Sequence, residues 1–146
     1  MSAVSAVVAC PRCGAQNRLG TPPQGAVPRC GKCKTPLPWL VAGSDASWGR
    51  DLQAPMPVLV DFWAPWCQPC RLVEPVLEEL ARDFAGRLKV VKVNLDENPQ
   101  MAGRYRVQSI PALLVFNDGQ LLDTVVGALP KAALLQRLAP HLAAPA

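Results

Sequence analysis

Residues 45–146 alternate apolar runs with amphipathic segments, which is typical of a domain that mixes strands and helices. Residues 57–63 form an apolar run interrupted only by Asp61, and such a run predicts a strand buried on both faces. After this run, apolar side chains recur at helical spacing; they are Leu72, Val73, Val76, Leu77, Leu80 and Phe84. The pattern predicts a strand followed by a helix that begins at or just after Cys67.

Further elements follow in the same part of the chain. We predict a short helix over residues 98–105, a last helix that starts at Pro130, and strands over residues 88–94, 112–116 and 120–126. The dipeptide Asp118-Gly119 between the last two strands is a hairpin signal. The order strand, helix, strand, helix, strand, strand, helix describes an α/β fold, in which a mixed sheet has helices on both faces.

The first part of the chain has a different character. Residues 1–44 are rich in Cys, Pro and Gly, show no helical or strand period, and contain five basic residues and no acidic residue. Residues 45–146 contain 10 basic and 11 acidic residues, so the net charge of +4 comes from the first part. We therefore predict a small module over residues 1–36, a linker and first strand over residues 37–43, and the larger domain over residues 44–146.

Four cysteines in the first module are spaced as in a metal site. Cys10 and Cys13 form one pair, Cys30 and Cys33 form another, and 16 residues separate the pairs. Four thiolates suit tetrahedral zinc and leave no open position for a substrate, so the predicted zinc is structural. Because the module is too small to bury a core, zinc would supply its folding free energy. Two structural disulfides, or free thiols, remain the alternatives.

Membrane, secretory and nucleic-acid functions are not favoured. No apolar run approaches the length of about 18 to 20 residues that a membrane helix needs. The apolar start, residues 3–9, is short and has no Lys or Arg before it, so we expect a cytoplasmic protein. The basic first module has no aromatic residue before Trp39 on which a base could stack, so we expect a solvated surface and no nucleic-acid partner.

A third cysteine pair lies where a strand leads into a helix. The positive end of the helix dipole favours Cys67 as a thiolate that attacks a substrate disulfide, and Cys70 would then resolve the mixed disulfide. Cys70 must lose a proton, and Asp61 is a candidate base because burial raises the pKa of an aspartate. An aspartate bonded to backbone at the sheet end is the equal alternative. Lys92 could be the charge partner of Asp61.

The sequence around this pair resembles the thioredoxin family. Residues 61–70 read DFWAPWCQPC, which is similar to the active-site stretch whose usual motif is WCGPC. Similar segments follow in the family's order; they are KVNLD at 92–96, SIPALLVF at 109–116 and VGALPK at 126–131. The resemblance covers residues 40–146 and implies a thioredoxin fold preceded by a zinc ribbon. With that ribbon, the chain resembles the zinc-ribbon-bearing second thioredoxin of bacteria, thioredoxin C type.

The resemblance implies roles for particular residues. Cys67 and Cys70 match the redox pair, Asp61 the buried acid and Lys92 its neighbour. The implied substrate-binding surface comprises Trp66, Gln68, Pro69, Ile110, Pro111 and Gly127. In the family Pro111 is a cis-proline, whereas a generic X-Pro bond is trans in most folded proteins. The family also implies a protein-disulfide reductase without an organic cofactor, which takes electrons from NADPH through thioredoxin reductase and acts on oxidised cytoplasmic proteins.

Gln68 departs from the family motif, which has Gly at this position. Residues between the cysteines tune the stability of the thiolate, but Gln is neutral, so we expect the protein to remain a reductant. Two other hypotheses stay open. One is a disulfide oxidase or isomerase; the other is a zinc-ribbon binding or scaffold module, or a redox-regulated chaperone-like protein, in which the thiol chemistry is secondary.

Overall fold

A computed structural model describes residues 6–19 and 27–142. The first two strands, β1 (Ala6–Ala9) and β2 (Gln16–Leu19), pair antiparallel and belong to the first module. Five more strands form the main sheet; they are β3 (Trp39–Ala42), β4 (Val58–Trp63), β5 (Lys89–Asn94), β6 (Ala112–Asn117) and β7 (Gln120–Val126). The described helices are α1 (Trp48–Asp51), α2 (Gln68–Asp83), α3 (Pro99–Arg104) and α4 (Lys131–Leu138).

The main sheet is mixed, as the sequence predicts. Its strand order is β3-β5-β4-β6-β7, with β3, β5 and β4 parallel and β6 and β7 antiparallel to their neighbours. Asp118 and Gly119 both adopt positive φ between β6 and β7, which is the backbone of a tight two-residue hairpin. The predicted α/β thioredoxin fold is confirmed, and each element predicted from residue 57 onward forms near its predicted bounds.

Side-chain alternation along β4 decides what lies on each face of the sheet. Val58, Val60 and Phe62 pack in a core with Trp48 and residues of α3, whereas Leu59 packs with residues of α2 and α4 on the other face. Asp61 is two residues after Leu59, so it faces α2. On β5 the same rule places Lys92 on the α2 face, because Val90 packs there. The two charged residues of the apolar strands therefore lie beneath one helix.

The prediction that the first module has no strand period was incomplete, because β1 and β2 form there. Apolar alternation does not reveal β1, since its sequence AVVA has no polar position. A small core accompanies the hairpin, in which Cys10 and Cys30 pack with Leu37. In the first module, the side chains of Cys10 and Cys30 thus take the place of a conventional hydrophobic core.

The first module meets the larger domain far from Cys67. Pro36 lies against Gly86, where an added Cβ would be 2.8 Å from the proline Cβ. Gly86 follows the carboxyl end of α2, and Cys67 precedes its amino end. A helix of 16 residues is about 24 Å long. Within the described residues, no helix is long and apolar enough to cross a bilayer.

Candidate functional site

The amino end of α2 holds the third cysteine pair. Cys67 is the N-cap residue, with extended backbone, and its Sγ accepts a hydrogen bond of 3.1 Å from the backbone N–H of Cys70. Pro69 lies in the first turn, where its missing N–H leaves no helical hydrogen bond unmade. Cys67 and Cys70 form a disulfide in this structure and are both 4% exposed. The structure therefore shows this cysteine pair in its oxidised state.

A cis peptide bond lies opposite the disulfide. The bond between Ile110 and Pro111 is cis, which the resemblance implies and the sequence alone does not favour. The carbonyl oxygen of Ile110 lies 3.8 Å from Sγ of Cys67. The backbone N–H of Gly127 donates to the carbonyl oxygen of Pro111 at 2.9 Å, so the predicted surface residues on the two loops are joined.

The rim of the site is exposed and partly apolar. Trp66 is 68% exposed, and its Nε1 donates hydrogen bonds of 3.0 and 3.2 Å to the two carboxylate oxygens of Asp96. Gln68 and Pro69 are exposed beside it. Asp96 was not selected as a site residue from the sequence. Its position at the end of the KVNLD segment, just after β5, was the signal that could have indicated it.

Asp61 lies beneath the cysteine pair. It is 1% exposed, and within residues 6–19 and 27–142 its Oδ1 finds no hydrogen-bond partner. The buried Trp63 Nε1 also lacks a partner among these residues. Both side chains line a cavity of about 160 Å³ that also reaches Cys70. Burial raises the pKa of Asp61 to about 7, against the opposing effect of the Lys92 charge and with a further upward effect of Glu74.

The partner of Lys92 differs from the one that the sequence suggested. Lys92 stands beside Asp61 in the strand register, but its Nζ forms an ion pair of 2.7 Å with Oε1 of Glu74 on α2. The side chain of Glu74 is 49% exposed, whereas Asp61 is buried, and burial disfavours the charged form that an ion pair with Lys92 would need. Sequence reasoning missed Glu74. It follows Cys70 by four residues, so helical spacing placed it on the same face.

A second site lies in the first module. The four sulfurs of Cys10, Cys13, Cys30 and Cys33 all lie within 4.8 Å of one another, so these residues could hold a metal ion. The backbone N–H groups of Cys13 and Cys33 point at the sulfur of the first cysteine of their own pair, at 3.4 and 3.5 Å. Asn17 on β2 donates to the sulfur of Cys30 at 3.5 Å and accepts from the backbone of Gly31. The hairpin therefore helps to position the cluster.

Hydrogen bonds to sulfur lower the pKa of two thiols of this cluster, Cys30 and Cys33. Against the opposing Ala15 backbone hydrogen bond, desolvation and the neighbouring thiols together raise the pKa of Cys13 to about 11. The backbone N–H of Cys33 lowers the pKa of Cys30 to about 6, and the Asn17 amide contributes in the same direction. Deprotonated sulfur is the form that binds metal ions. The chemistry of this donor set is therefore that of a metal ligand, and sequence spacing identified all four residues.

Comparison with known proteins concerns the larger domain. The family model described as Thioredoxin matches residues 40–140. Thioredoxin 1 of Synechococcus elongatus is 54% identical over 102 residues, which are 69% of this chain and 95% of that protein. Thioredoxin of Synechocystis sp. is 53% identical over 100 residues, which are 68% of this chain and 94% of that protein.

A chloroplast relative is similar at a lower identity. Thioredoxin M-type, chloroplastic, of Pisum sativum is 45% identical over 100 residues, which are 68% of this chain and 58% of that protein. The family match begins after the four-cysteine cluster, so it concerns the domain that carries Cys67 and Cys70. The chain belongs to the thioredoxin family and is a thiol–disulfide oxidoreductase.

Proposed function

We propose that this protein is a protein-disulfide reductase of the cytoplasm, which thioredoxin reductase reduces again after each cycle with electrons from NADPH. The observation that carries the proposal is the placement of Cys67 and Cys70 at the amino end of α2, opposite the cis Ile110–Pro111 bond. A reductase fits a compartment in which thiols are kept reduced. The family relationship supplies the general chemistry.

The proposed cycle begins with the reduced pair. The thiolate of Cys67, stabilised by the Cys70 N–H and the helix dipole, attacks one sulfur of a substrate disulfide and expels the other as a thiolate. Cys70 then loses its proton and attacks Cys67, which releases the second substrate thiolate. Two electrons pass from the cysteine pair to the substrate, and the Cys67–Cys70 disulfide of this structure is the product state.

Asp61 is the proposed proton acceptor for Cys70. The two residues line the same cavity, and a carboxyl group with a pKa of about 7 can exchange a proton near neutral pH. Asp61→Asn is therefore expected to slow resolution by Cys70 and to leave the first attack by Cys67 nearly unchanged. Stopped-flow tryptophan fluorescence with a model disulfide separates the two steps; equal slowing of both would remove the role of Asp61 as base.

The proposed substrate surface surrounds the disulfide. It consists of the six positions that the resemblance implies, of which Trp66 is the most prominent because its ring is held by Asp96 and remains exposed. The backbone of Ile110 would pair with an extended substrate segment beside Cys67. Trp66→Ala is expected to raise KM for protein disulfides more than it lowers kcat, since the ring contacts substrate and not the reacting sulfurs.

The proposed electron donor is tested by a coupled assay. NADPH consumption is measured with thioredoxin reductase and insulin disulfides as substrate, and a parallel assay uses dithiothreitol as reductant. Turnover in both is expected. Turnover with dithiothreitol alone would retain the disulfide chemistry and remove thioredoxin reductase as the donor, whereas no turnover in either would favour the binding or scaffold hypothesis.

The proposed direction of electron flow depends on the reduction potential of the pair. Gln68 is neutral and exposed, so we expect a potential near the value of about −270 mV that is typical of thioredoxin. Equilibration with glutathione measures it. A value above about −200 mV would favour an oxidase or isomerase instead.

Zinc is the proposed metal of the first module. Four Zn–S bonds of about 2.3 Å in a tetrahedron place sulfurs about 3.8 Å apart. The structure has 3.5 Å between the sulfurs of Cys10 and Cys33 and 3.6 Å between those of Cys13 and Cys30. This ribbon would therefore hold a structural zinc ion without a large rearrangement. Metal analysis should give one zinc per chain, lost in Cys13→Ser and kept in Cys67→Ser; zinc retained in both variants would exclude the site.

A further inference from the structure

We propose that Glu74 is a positioning residue of the active site, because it binds the ammonium group of Lys92 and thereby keeps that charge from pairing with Asp61. This inference deepens the proposed function and rests on it for the role of Asp61 in catalysis. The effect of Glu74 on Asp61 itself can be measured without any turnover.

The arrangement of three charged groups supports the proposal. Lys92 and Asp61 are register partners on adjacent strands beneath α2, so Lys92 is a candidate for an ion pair with Asp61. The observed ion pair instead joins Lys92 to Glu74 at 2.7 Å, and Oδ1 of Asp61 has no partner among the described residues. All three side chains line the cavity that reaches Cys70. Glu74 therefore competes directly with Asp61 for one cation.

The aromatic ring of Trp63 restricts the position of Lys92 as well. The Lys92 Nζ lies 5.1 Å from the centroid of this ring. An ammonium group over an aromatic face is weakly attracted to it. The ring and the Glu74 carboxylate together hold Lys92 in one place.

Among the residues that the structure describes, no other charged group of the cavity is placed to pair with Asp61 instead of Lys92. From α2 the cavity is faced by Cys70, Glu74 and Arg71, and the Arg71 guanidinium donates to the carbonyl oxygen of Pro65 at 2.8 Å. From β6, the residue opposite Asp61 is the apolar Leu113. The charges that act on Asp61 are thus those of Lys92, which lowers its pKa, and of Glu74, which raises it.

Removal of the Glu74 charge has a defined consequence. In Glu74→Gln the like charge disappears, and Lys92 is free to approach the ionised form of Asp61. Both changes favour the charged carboxylate, so the Asp61 titration midpoint should fall by about one pH unit or more. Glu74→Ala removes the same charge without a new amide group and should shift the midpoint in the same direction.

The experiment measures the titration of Asp61 by carboxyl carbon NMR in the oxidised, aspartate-labelled protein. The matched control is Glu79→Gln, which makes the same substitution in the same helix. It also breaks an ion pair, because Glu79 binds Lys131. Glu79 does not line the cavity, so its loss should leave the midpoint unchanged. The pH profile of the resolution step is then recorded for the same proteins.

Three outcomes are distinguishable. A lower midpoint in both Glu74 variants, accompanied by the same shift in the pH profile of resolution, supports the inference together with the role of Asp61 as base. A lower NMR midpoint with an unshifted rate profile supports the inference and removes that role from the proposed function. A midpoint that stays at the wild-type value, or that moves equally in Glu79→Gln, overturns the inference.

Discussion

Because Asp61 is buried, its replacement by Asn should raise the free energy of unfolding of the oxidised protein relative to wild type. This gain should increase as the pH rises. The carboxyl group has its pKa raised from 3.8 to about 7 because the folded protein removes it from water. The folded state therefore holds a proton that the unfolded state has already lost between these two pH values. The contribution of Asp61 to the free energy of unfolding is therefore greatest below pH 4, falls as the pH rises toward 7, and is constant above pH 7.

The magnitude follows from the shift of about three pKa units, since one unit corresponds to about 1.4 kcal/mol. Ionised Asp61 thus lowers the free energy of unfolding by about 4 kcal/mol at pH 8, and by less than about 1 kcal/mol at pH 4. Asn cannot ionise and loses no stability over this range. The difference between Asp61→Asn and wild type should grow by about 3–4 kcal/mol from pH 4 to pH 8.

Urea unfolding at constant ionic strength, followed by tryptophan fluorescence, measures this difference. The oxidised proteins are used, because the disulfide removes the titration of Cys67 and Cys70. Asp118→Asn is the control, since it makes the same change at an exposed hairpin position, where an effect within about 0.5 kcal/mol is expected at each pH. A stability difference for Asp61→Asn that does not increase with pH would refute the reasoning.

Three further predictions concern the fold. Gly86→Ala should lower the free energy of urea unfolding by about 1–3 kcal/mol, because φ is +83° and the new Cβ would meet Pro36. Gly103→Ala is the control, since no neighbouring atom lies within 4 Å of the new Cβ, and it should not destabilise the protein. Trp48→Ala should cost about 3–5 kcal/mol by the same measurement, since its buried ring packs against three aromatic residues. Chelation of the proposed zinc ion should abolish amide-exchange protection in β1 and β2 and preserve it in the main sheet. Retained protection in the hairpin would contradict a metal-dependent ribbon.

The strands and helices of the larger domain, except the four-residue helix α1, could be predicted because each carries a local signal. β4 is apolar except at Asp61 and is buried over all but its last residue, and α2 has helical periodicity and a proline in its first turn. The cluster of Cys10, Cys13, Cys30 and Cys33 could be predicted for a similar reason, since the spacing of cysteine pairs is local in sequence. The hairpin of β1 and β2 has no such signal, because its packing depends on Cys10 and Cys30 and not on a hydrophobic face.

Contacts between distant segments set the limit of the sequence-based prediction. Lys92 stands beside Asp61 in the strand register, but its ion-pair partner is Glu74, because burial disfavours the charged form of Asp61. The contact between Trp66 and Asp96 likewise joins residues 30 positions apart. The cis bond before Pro111 was expected from the family resemblance alone, since no local property of Ile110 favours it.

The most direct test of the proposed chemistry is to trap the mixed disulfide. The reduced Cys70→Ser variant is mixed with insulin, and the covalent adduct is digested and mapped by mass spectrometry. We predict an adduct in which a substrate cysteine is joined to Cys67, and no adduct in the Cys67→Ser variant. An adduct that forms through Cys70 in Cys67→Ser, or no adduct in folded Cys70→Ser, would contradict the assignment of Cys67 as the attacking nucleophile.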